Sequence, residues 1–260
     1  MKRTSMRPIR GLLFDLDGVL HVEDRPIPGA AETVRRVKAM GILCRFLTNT
    51  TTKSLERLHR QMTGMGLPIE KGEILSAPQA AIQYLRQRGR PSCFLVLNEE
   101  VRADFEEFPP SETDPDCVVI GDVWDRWDYR LLNKLFHLLI GGADLIALHK
   151  GRYWQTGDGL QLDIGAFVAA LEYASGKEAI VMGKPSPDFF RTALLGMGLR
   201  ADEVVMVGDD IESDVGGAQR AGIRGILVKT GKYRDELVAR SSVRPDYLLR
   251  SVADLLRWLE

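Results

Sequence analysis

Cysteine is scarce in this 260-residue chain: Cys44, Cys93 and Cys117 are the only three, odd in number and without a CxxC spacing. That argues against a disulfide framework and marks them as reduced packing residues of a cytoplasmic protein. The four histidines are scattered, so zinc finds no His/Cys ligand cluster. No apolar run approaches the roughly 18 residues of a membrane-spanning helix. The first residues lack the basic, apolar, then small order of a signal peptide, and residues 3–10 read as a short tail. An excess of one charge is missing too. Lys+Arg number 35 and Asp+Glu 36, a formal net charge of −1, which speaks against a nucleic-acid or membrane partner.

What remains is ordinary globular material, 45% hydrophobic and 27% charged, long enough for one large domain or two small ones. Strand and helix patterns alternate, which predicts an α/β protein with a mostly parallel sheet. Leu12, Leu13 and Phe14 read as a short buried strand. Ala30, Val34, Val37 and Met40 repeat at helical spacing until Gly41 stops them. Residues 42–49 are a second strand, and Leu55, Leu58, Met62 and Met65 mark a helix with Thr52 as its N-cap. The rhythm returns at 178–198, with Ser186 as N-cap, Pro187 at the first helical position and Asp188 in the first turn. It returns again at 203–222, and an amphipathic helix around Val252, Leu255, Leu256 and Leu259 closes the chain. Between these halves, residues 76–181 have strands and helices of their own. They predict a smaller α/β domain inserted into a core formed by 6–75 and 182–260. The loop at 106–116 is its least structured part.

In an open α/β sheet, ligands bind beyond the carboxyl ends of the strands. Four predicted strands end in polar residues: at Asp15 and Asp17, at Thr48-Asn49, at Gly183-Lys184, and at Gly208-Asp209-Asp210, with Asp214 in the next turn. Aspartate is common at turns and caps, so one DxD means little, whereas four such ends on one edge mean a site. Alternate strand residues share a face, which would hold Asp15 and Asp17 together. Asp15, Asp17 and Asp209 in proximity would repel by several kcal/mol at an effective dielectric of about 20. They stay ionised only around a positive charge, and oxygen donors of this kind suit a hard ion such as Mg²⁺. Thr48, Asn49 and Lys184 add a hydroxyl, backbone N–H groups and an ammonium, a cradle for phosphate.

The motifs "DLDG" at 15–18, "TN" at 48–49, "GKP" at 183–185 and "GDDIESD" at 208–214 resemble, in order, the four motifs of the haloacid dehalogenase (HAD) superfamily. The likeness covers nearly the whole chain. It continues through "TNTT" at 48–51, "KGRYW" at 150–154, "ALEYASG" at 170–176, "GKPSPDFF" at 183–190 and "GDDIESDVGGAQRAG" at 208–222, toward the clade of phospholysine, phosphohistidine and inorganic pyrophosphate phosphatases. The resemblance implies a Rossmann-like, doubly wound HAD core carrying an inserted type-2 cap. It implies a Mg²⁺-dependent phosphatase for small phosphorylated compounds, and leaves open whether phosphoester, phosphoramidate or pyrophosphate is preferred. Asp15 would be the nucleophile that becomes an aspartyl phosphate, and Asp17 the general acid and then base. Lys184 would neutralise charge on Asp15 and phosphate, with Thr48, Asn49 and Thr50 binding the phosphoryl group. Mg²⁺ would be held by the Asp15 side chain, the Asp17 backbone carbonyl and Asp209, with Asp210 and Asp214 orienting from behind. Aspartate at 17 favours phosphatase or phosphomutase chemistry over the dehalogenases and ion pumps.

Substrate choice would lie in the cap, first at 149–159. There His149, Lys150, Arg152 and Tyr153 either meet an anionic leaving group or form a solvated hairpin with a turn at 157–159. Trp124, Trp127 and Tyr129 read as a surface pairing two copies through the cap, or equally as cap core. His59 and His137 read as bystanders, and so does His21 unless its place in the flap after the first motif brings it to substrate; Gly216-Gly217 read as helix–sheet packing in preference to a phosphate-cradling turn. A receiver-type phospho-acceptor domain would carry its acidic pair ahead of the acceptor, the reverse of the order here. A silent phosphate-compound-binding protein would lack a catalytic residue, and none is lacking. A phosphotransferase of the same fold usually carries its cap at the other insertion point.

Overall fold

The computed structural model describes residues 8–156 and 159–259. The chain runs β1 (Gly11–Asp15), a short hairpin of β2 (His21–Val22) and β3 (Arg25–Pro26), α1 (Ala30–Ala39), β4 (Leu43–Thr48), α2 (Leu55–Gly64) and β5 (Ile74–Ser76). There follow α3 (Ala77–Gln87), β6 (Cys93–Val96), α4 (Glu99–Arg102), β7 (Cys117–Ile120), α5 (Tyr129–Ile140) and β8 (Asp144–Ala147). Next come a hairpin of β9 (Tyr153–Thr156) and β10 (Gly159–Leu162), α6 (Ile164–Ser175) and β11 (Ile180–Val181). The chain closes with α7 (Pro187–Met197), β12 (Val204–Gly208), α8 (Gly217–Arg220), β13 (Arg224–Val228), α9 (Asp235–Arg240), β14 (Tyr247–Leu249) and α10 (Leu255–Leu259). The tail read at 3–10 falls mostly outside the described residues, as do Gly157 and Asp158 of the expected turn.

Two compact units result: Met1–Thr48 with Glu56–Leu75 and Lys184–Glu260, and Asn49–Leu55 with Ser76–Gly183. The larger unit is built on a six-stranded sheet of order β14-β13-β12-β1-β4-β5. β1 pairs in parallel with β4 on one side and β12 on the other, and β12–β13–β14 continue in parallel. Every residue of β1 and β12 is buried, the pattern of strands covered on both faces. Phe14 stacks on Phe46 across β1 and β4, ring centroids 5.7 Å apart. From β1 the chain steps outward in one direction and later in the other. The carboxyl end of β1 is therefore where the winding reverses, the place such sheets bind ligands.

The smaller unit has its own parallel sheet of order β11-β8-β7-β6. Its core joins Val118, Ile120 and Leu145 of the sheet with Leu135 and Leu139 of α5 and Val168 of α6. Trp127 stacks on Phe167 with centroids 4.4 Å apart, whereas Trp124 and Tyr129 are exposed. The loop at 106–116 has neither helix nor strand, and Asp116 ties its end to the Ser92 N–H and hydroxyl, both at 2.7 Å. All three cysteines are buried free thiols. Burial pushes Cys44 and Cys93 up to about 12.

Three local expectations need correcting. The apolar run before Gly183 is expected to end on the same sheet edge as the other three motif strands. It is β11 of the smaller sheet, with Ile180 opposite Ile146 and Val181 opposite Ala147, so Lys184 enters the larger unit directly after the other sheet. Helix α2 begins at Leu55, which puts Ser54 rather than Thr52 ahead of it. The Ser54 N–H is taken by Glu100 and the Leu55 N–H by Asp104, both at 3.0 Å, so acidic side chains distant in sequence fix the start. These bonds, with Asn98 donating to the Thr51 carbonyl, also attach Asn49–Leu55 to the smaller unit. Ser186 precedes α7 and Pro187 opens it as expected, but the Ser186 side chain makes no capping hydrogen bond.

Candidate active site

Strand β1 delivers Asp15 to its carboxyl end and stops there; Leu16 is buried and Asp17 lies beyond the strand. The two aspartates thus do not share a strand face. Asp15 is buried, and the Asp17 side chain is 56% exposed. Gly18, at φ 84°, turns the chain back, and its N–H donates to the His21 carbonyl at 2.7 Å. Thr48 ends β4 and is buried; its hydroxyl lies 3.5 Å from Asp17 Oδ2. Asn49 and Thr50 follow at once and are grouped with the smaller unit.

The Lys184 side chain is 5% exposed, and its ammonium donates to Asp15 Oδ1 at 2.5 Å and to Asp214 Oδ1 at 2.7 Å. The other oxygen of Asp214 accepts from the N–H groups of Asp209 and Asp210, both at 3.1 Å. Both oxygens of Asp214 are therefore engaged: it anchors Lys184 with one and shapes the turn after β12 with the other. A Cβ on Gly208 would overlap the Asp214 side chain, which is why glycine ends β12. Asp210 caps the π-helical turn Ile211–Gly216, accepting from Glu212 N–H and Ser213 N–H at 3.0 Å. Gly216 and Gly217 pack close: a Cβ on Gly217 would press on Phe190 and Pro185.

Asp209 is different. One oxygen accepts from the Lys232 N–H at 2.7 Å, and Oδ1 is buried with no partner. An orphaned carboxylate oxygen is costly unless a ligand completes it. Oxygens of Asp15, Asp209 and Asp214 lie within 4.8 Å of one another. Burial first, then the Asp214 charge, pushes the carboxyl of Asp15 well above the usual range and that of Asp209 up to about 6. Burial works against the Lys184 charge, yet Asp15 and Asp214 outweigh it and hold the ammonium charged. Three carboxylates and one ammonium carry two uncompensated negative charges when ionised. The all-oxygen donor set, the orphaned Oδ1 and that charge deficit fit a hard divalent cation.

The sequence leaves His21, in the flap after the first motif, between bystander and substrate contact. It is buried, its Nδ1 donates to the Glu23 carbonyl at 2.8 Å, and its Nε2 lies 3.6 Å from Asp17 Oδ1. Only its position four residues after Asp17, beyond a glycine turn, could have signalled this. Of the four residues expected to serve substrate in the smaller unit, His149 is buried. Its Nδ1 accepts from the Gly151 N–H at 3.1 Å, and Nε2 lies 3.7 Å from Asp163. Lys150 pairs with Glu172 at 2.5 Å, while Arg152 and Tyr153 are exposed.

Comparison with known proteins agrees with this geometry. A family model described as haloacid dehalogenase-like hydrolase matches residues 12–108, and a HAD-hydrolase-like model matches 181–255. The haloacid dehalogenase-like hydrolase domain-containing protein 2 of Bos taurus is 45% identical over 231 residues, covering 88% of each chain. The phospholysine phosphohistidine inorganic pyrophosphate phosphatase of Rattus norvegicus is 40% identical over 253 residues, 95% of this chain and 92% of that one. Among solved structures, the p-nitrophenyl phosphatase of Archaeoglobus fulgidus superposes with a TM-score of 0.91 at 28% identity, covering 97% of this chain and 100% of that one. The 4-nitrophenylphosphatase of Thermotoga maritima gives 0.89 at 26% identity, over 97% and 98%.

Proposed function

The chain belongs to the haloacid dehalogenase-like hydrolases and is a phosphatase, and from that premise we propose that it hydrolyses small phosphorylated compounds with Mg²⁺ through an aspartyl phosphate on Asp15. The observation that carries this reading is the buried Lys184 ammonium on Asp15, beside an Asp209 oxygen without a partner.

Asp15, the Asp17 carbonyl and Asp209 would hold the cation, which supplies charge to gather the carboxylates and the phosphoryl oxygens around one point. Asp15 attacks phosphorus in line with the leaving oxygen, forming the acyl phosphate as the leaving bond breaks. Asp17, its side chain 56% exposed, gives that oxygen a proton, then takes one from the water that hydrolyses the intermediate. Lys184 fixes Asp15 in the attacking orientation and offsets charge on the transferring group, and the Thr48 hydroxyl donates to its oxygens. Asp214 holds Lys184, and Asp210 holds the turn that carries Asp209.

The names of the relatives favour pyrophosphate and phosphoramidates as substrates beside phosphoesters. The scarcity of cysteine, three residues without a CxxC spacing, supports a cytoplasmic setting. Trp124 and Tyr129, both exposed, are our candidates for pairing two copies through the smaller unit.

The test is phosphate release from a panel of small phosphorylated metabolites, phospholysine and pyrophosphate, with Mg²⁺ or EDTA. Turnover should need Mg²⁺ and fall at least about a thousandfold in Asp15→Asn, the scale of losing a nucleophile. Turnover that survives EDTA or the substitution would overturn the mechanism.

A further inference from the structure

The loop after β13 belongs to none of the four motifs, yet it closes on one of their carboxylates. The Lys232 N–H donates to Asp209 Oδ2 at 2.7 Å. The Thr230 hydroxyl donates to the Gly18 carbonyl at 2.5 Å, tying this loop to the turn that follows Asp17. Gly18 and Gly231 both have left-handed backbones, with φ of 84° and 58°. A Cβ on either glycine would overlap the same atom, Asp209 Oδ2, and one on Gly231 would also lie 2.5 Å from the Gly18 Cα. Two glycine backbones and one N–H therefore box in a single carboxylate oxygen. The other oxygen of that carboxylate is the buried, unpartnered Oδ1.

A carboxylate on a short side chain rotates broadly about its last torsion. A cation that recruits an unrestrained carboxylate must order it on binding, while a ligand already held in place spares that cost. We propose that Gly18, Thr230, Gly231 and the Lys232 N–H form a positioning device that locks Asp209 by one oxygen and thereby sets the affinity of the cation site. Thr230 and Gly231 are positioning residues that touch no reacting atom: Gly231 bears on Asp209 directly, and Thr230 by holding the Gly18 turn against it. The inference rests on reading Asp209 as a cation ligand. It also explains why the loop needs a glycine at a point where a tight turn alone would tolerate asparagine.

The experiment is Mg²⁺ titration by calorimetry on the full chain stripped with EDTA, with melting in EDTA as the check on folding. Wild type, Asp209→Asn, Gly231→Ala and Thr230→Val are compared. Gly231→Ala should weaken Mg²⁺ binding roughly 10- to 100-fold, the usual range for a lost outer contact to a metal ligand. Thr230→Val should weaken it by a smaller factor in the same direction. A folded Gly231→Ala that binds Mg²⁺ like wild type, while Asp209→Asn does not, overturns the box and leaves the Asp209 assignment standing. If Gly231→Ala does not fold, Thr230→Val decides, and unchanged affinity there overturns the proposal. Wild type that binds no Mg²⁺, or Asp209→Asn that binds as wild type does, removes the assignment beneath it.

Discussion

The two units share an architecture and treat charge in opposite ways. The larger buries Asp15, Lys184, Asp209 and Asp214 together, none more than 6% exposed. In the smaller, Lys and Arg pairs such as Arg88–Asp144, Lys134–Glu112 and Lys150–Glu172 keep at least one partner in contact with water, and the most sheltered pair, His149 with Asp163, carries a histidine rather than a fixed charge. Its buried polar groups are Thr51, Ser76 and His149. Taking four charged groups out of water is a poor way to stabilise a sheet, because desolvation offsets most of the attraction. A parallel sheet packs well without it, as the apolar core of the smaller unit demonstrates. The buried charges of the larger unit are thus explained by chemistry, and the smaller unit is free to vary its surface around a conventional core.

The largest effect that could break this contrast comes from Lys184→Met. It keeps the volume and removes the ammonium, leaving Asp15 and Asp214 buried without it. Removing one partner of a buried pair costs about 3–5 kcal/mol, which thermal melting in EDTA should detect, alongside loss of phosphatase turnover. A variant that melts like wild type would mean the buried charges are not energetically coupled.

A smaller effect tests the same site by pH. Burial, then the Asp214 charge, raises the Asp209 carboxyl from 3.8 to about 6. The folded metal-free protein therefore holds a proton that the unfolded chain gives up. Its contribution to stability is fully present below the unfolded value and is lost as pH rises through about 6. Mg²⁺ needs the carboxylate, so affinity runs the other way, falling up to about tenfold per pH unit below that point. Calorimetric titrations between pH 5 and 7.5, on the order of the range spanning that shift, should give a proton released on binding at the acid end. A pH-independent affinity would place the cation away from Asp209.

The contrast was only partly legible in the sequence. Asp15, Lys184 and Asp209 could be found because each ends an apolar run or follows the glycine that ends one, and Asp214 because it lies in the acidic turn that follows, all local signals. The sheet to which the run before Gly183 belongs was not local: Ile180 and Val181 are as apolar as any core strand, and their pairing depends on Ile146 and Ala147. The start of α2 was missed for the same reason, since Glu100 and Asp104 lie more than forty positions on. The role of Gly231 was out of reach. "TG" reads as a strand end, and what makes it matter is Asp209 Oδ2, 23 positions before the Lys232 that completes the box.

The smallest expected effect sharpens the comparison from the other side. Lys150 and Glu172 are 2.5 Å apart, but their side chains are 39% and 20% exposed, so water screens the pair. Lys150→Met should cost under about 1 kcal/mol in the same melting experiment that punishes Lys184→Met. If Lys150 meets an anionic leaving group, the loss appears in KM with kcat kept, the signature of binding shared by ground and transition states. Glu172→Gln, which leaves the ammonium without its counter-charge, should then lower KM for the same substrate. Opposite shifts from the two variants would assign substrate choice to the surface of the smaller unit. Identical shifts would reduce the pair to packing, and a melting loss as large as that of Lys184→Met would erase the distinction between a unit that buries charge for chemistry and one that does not.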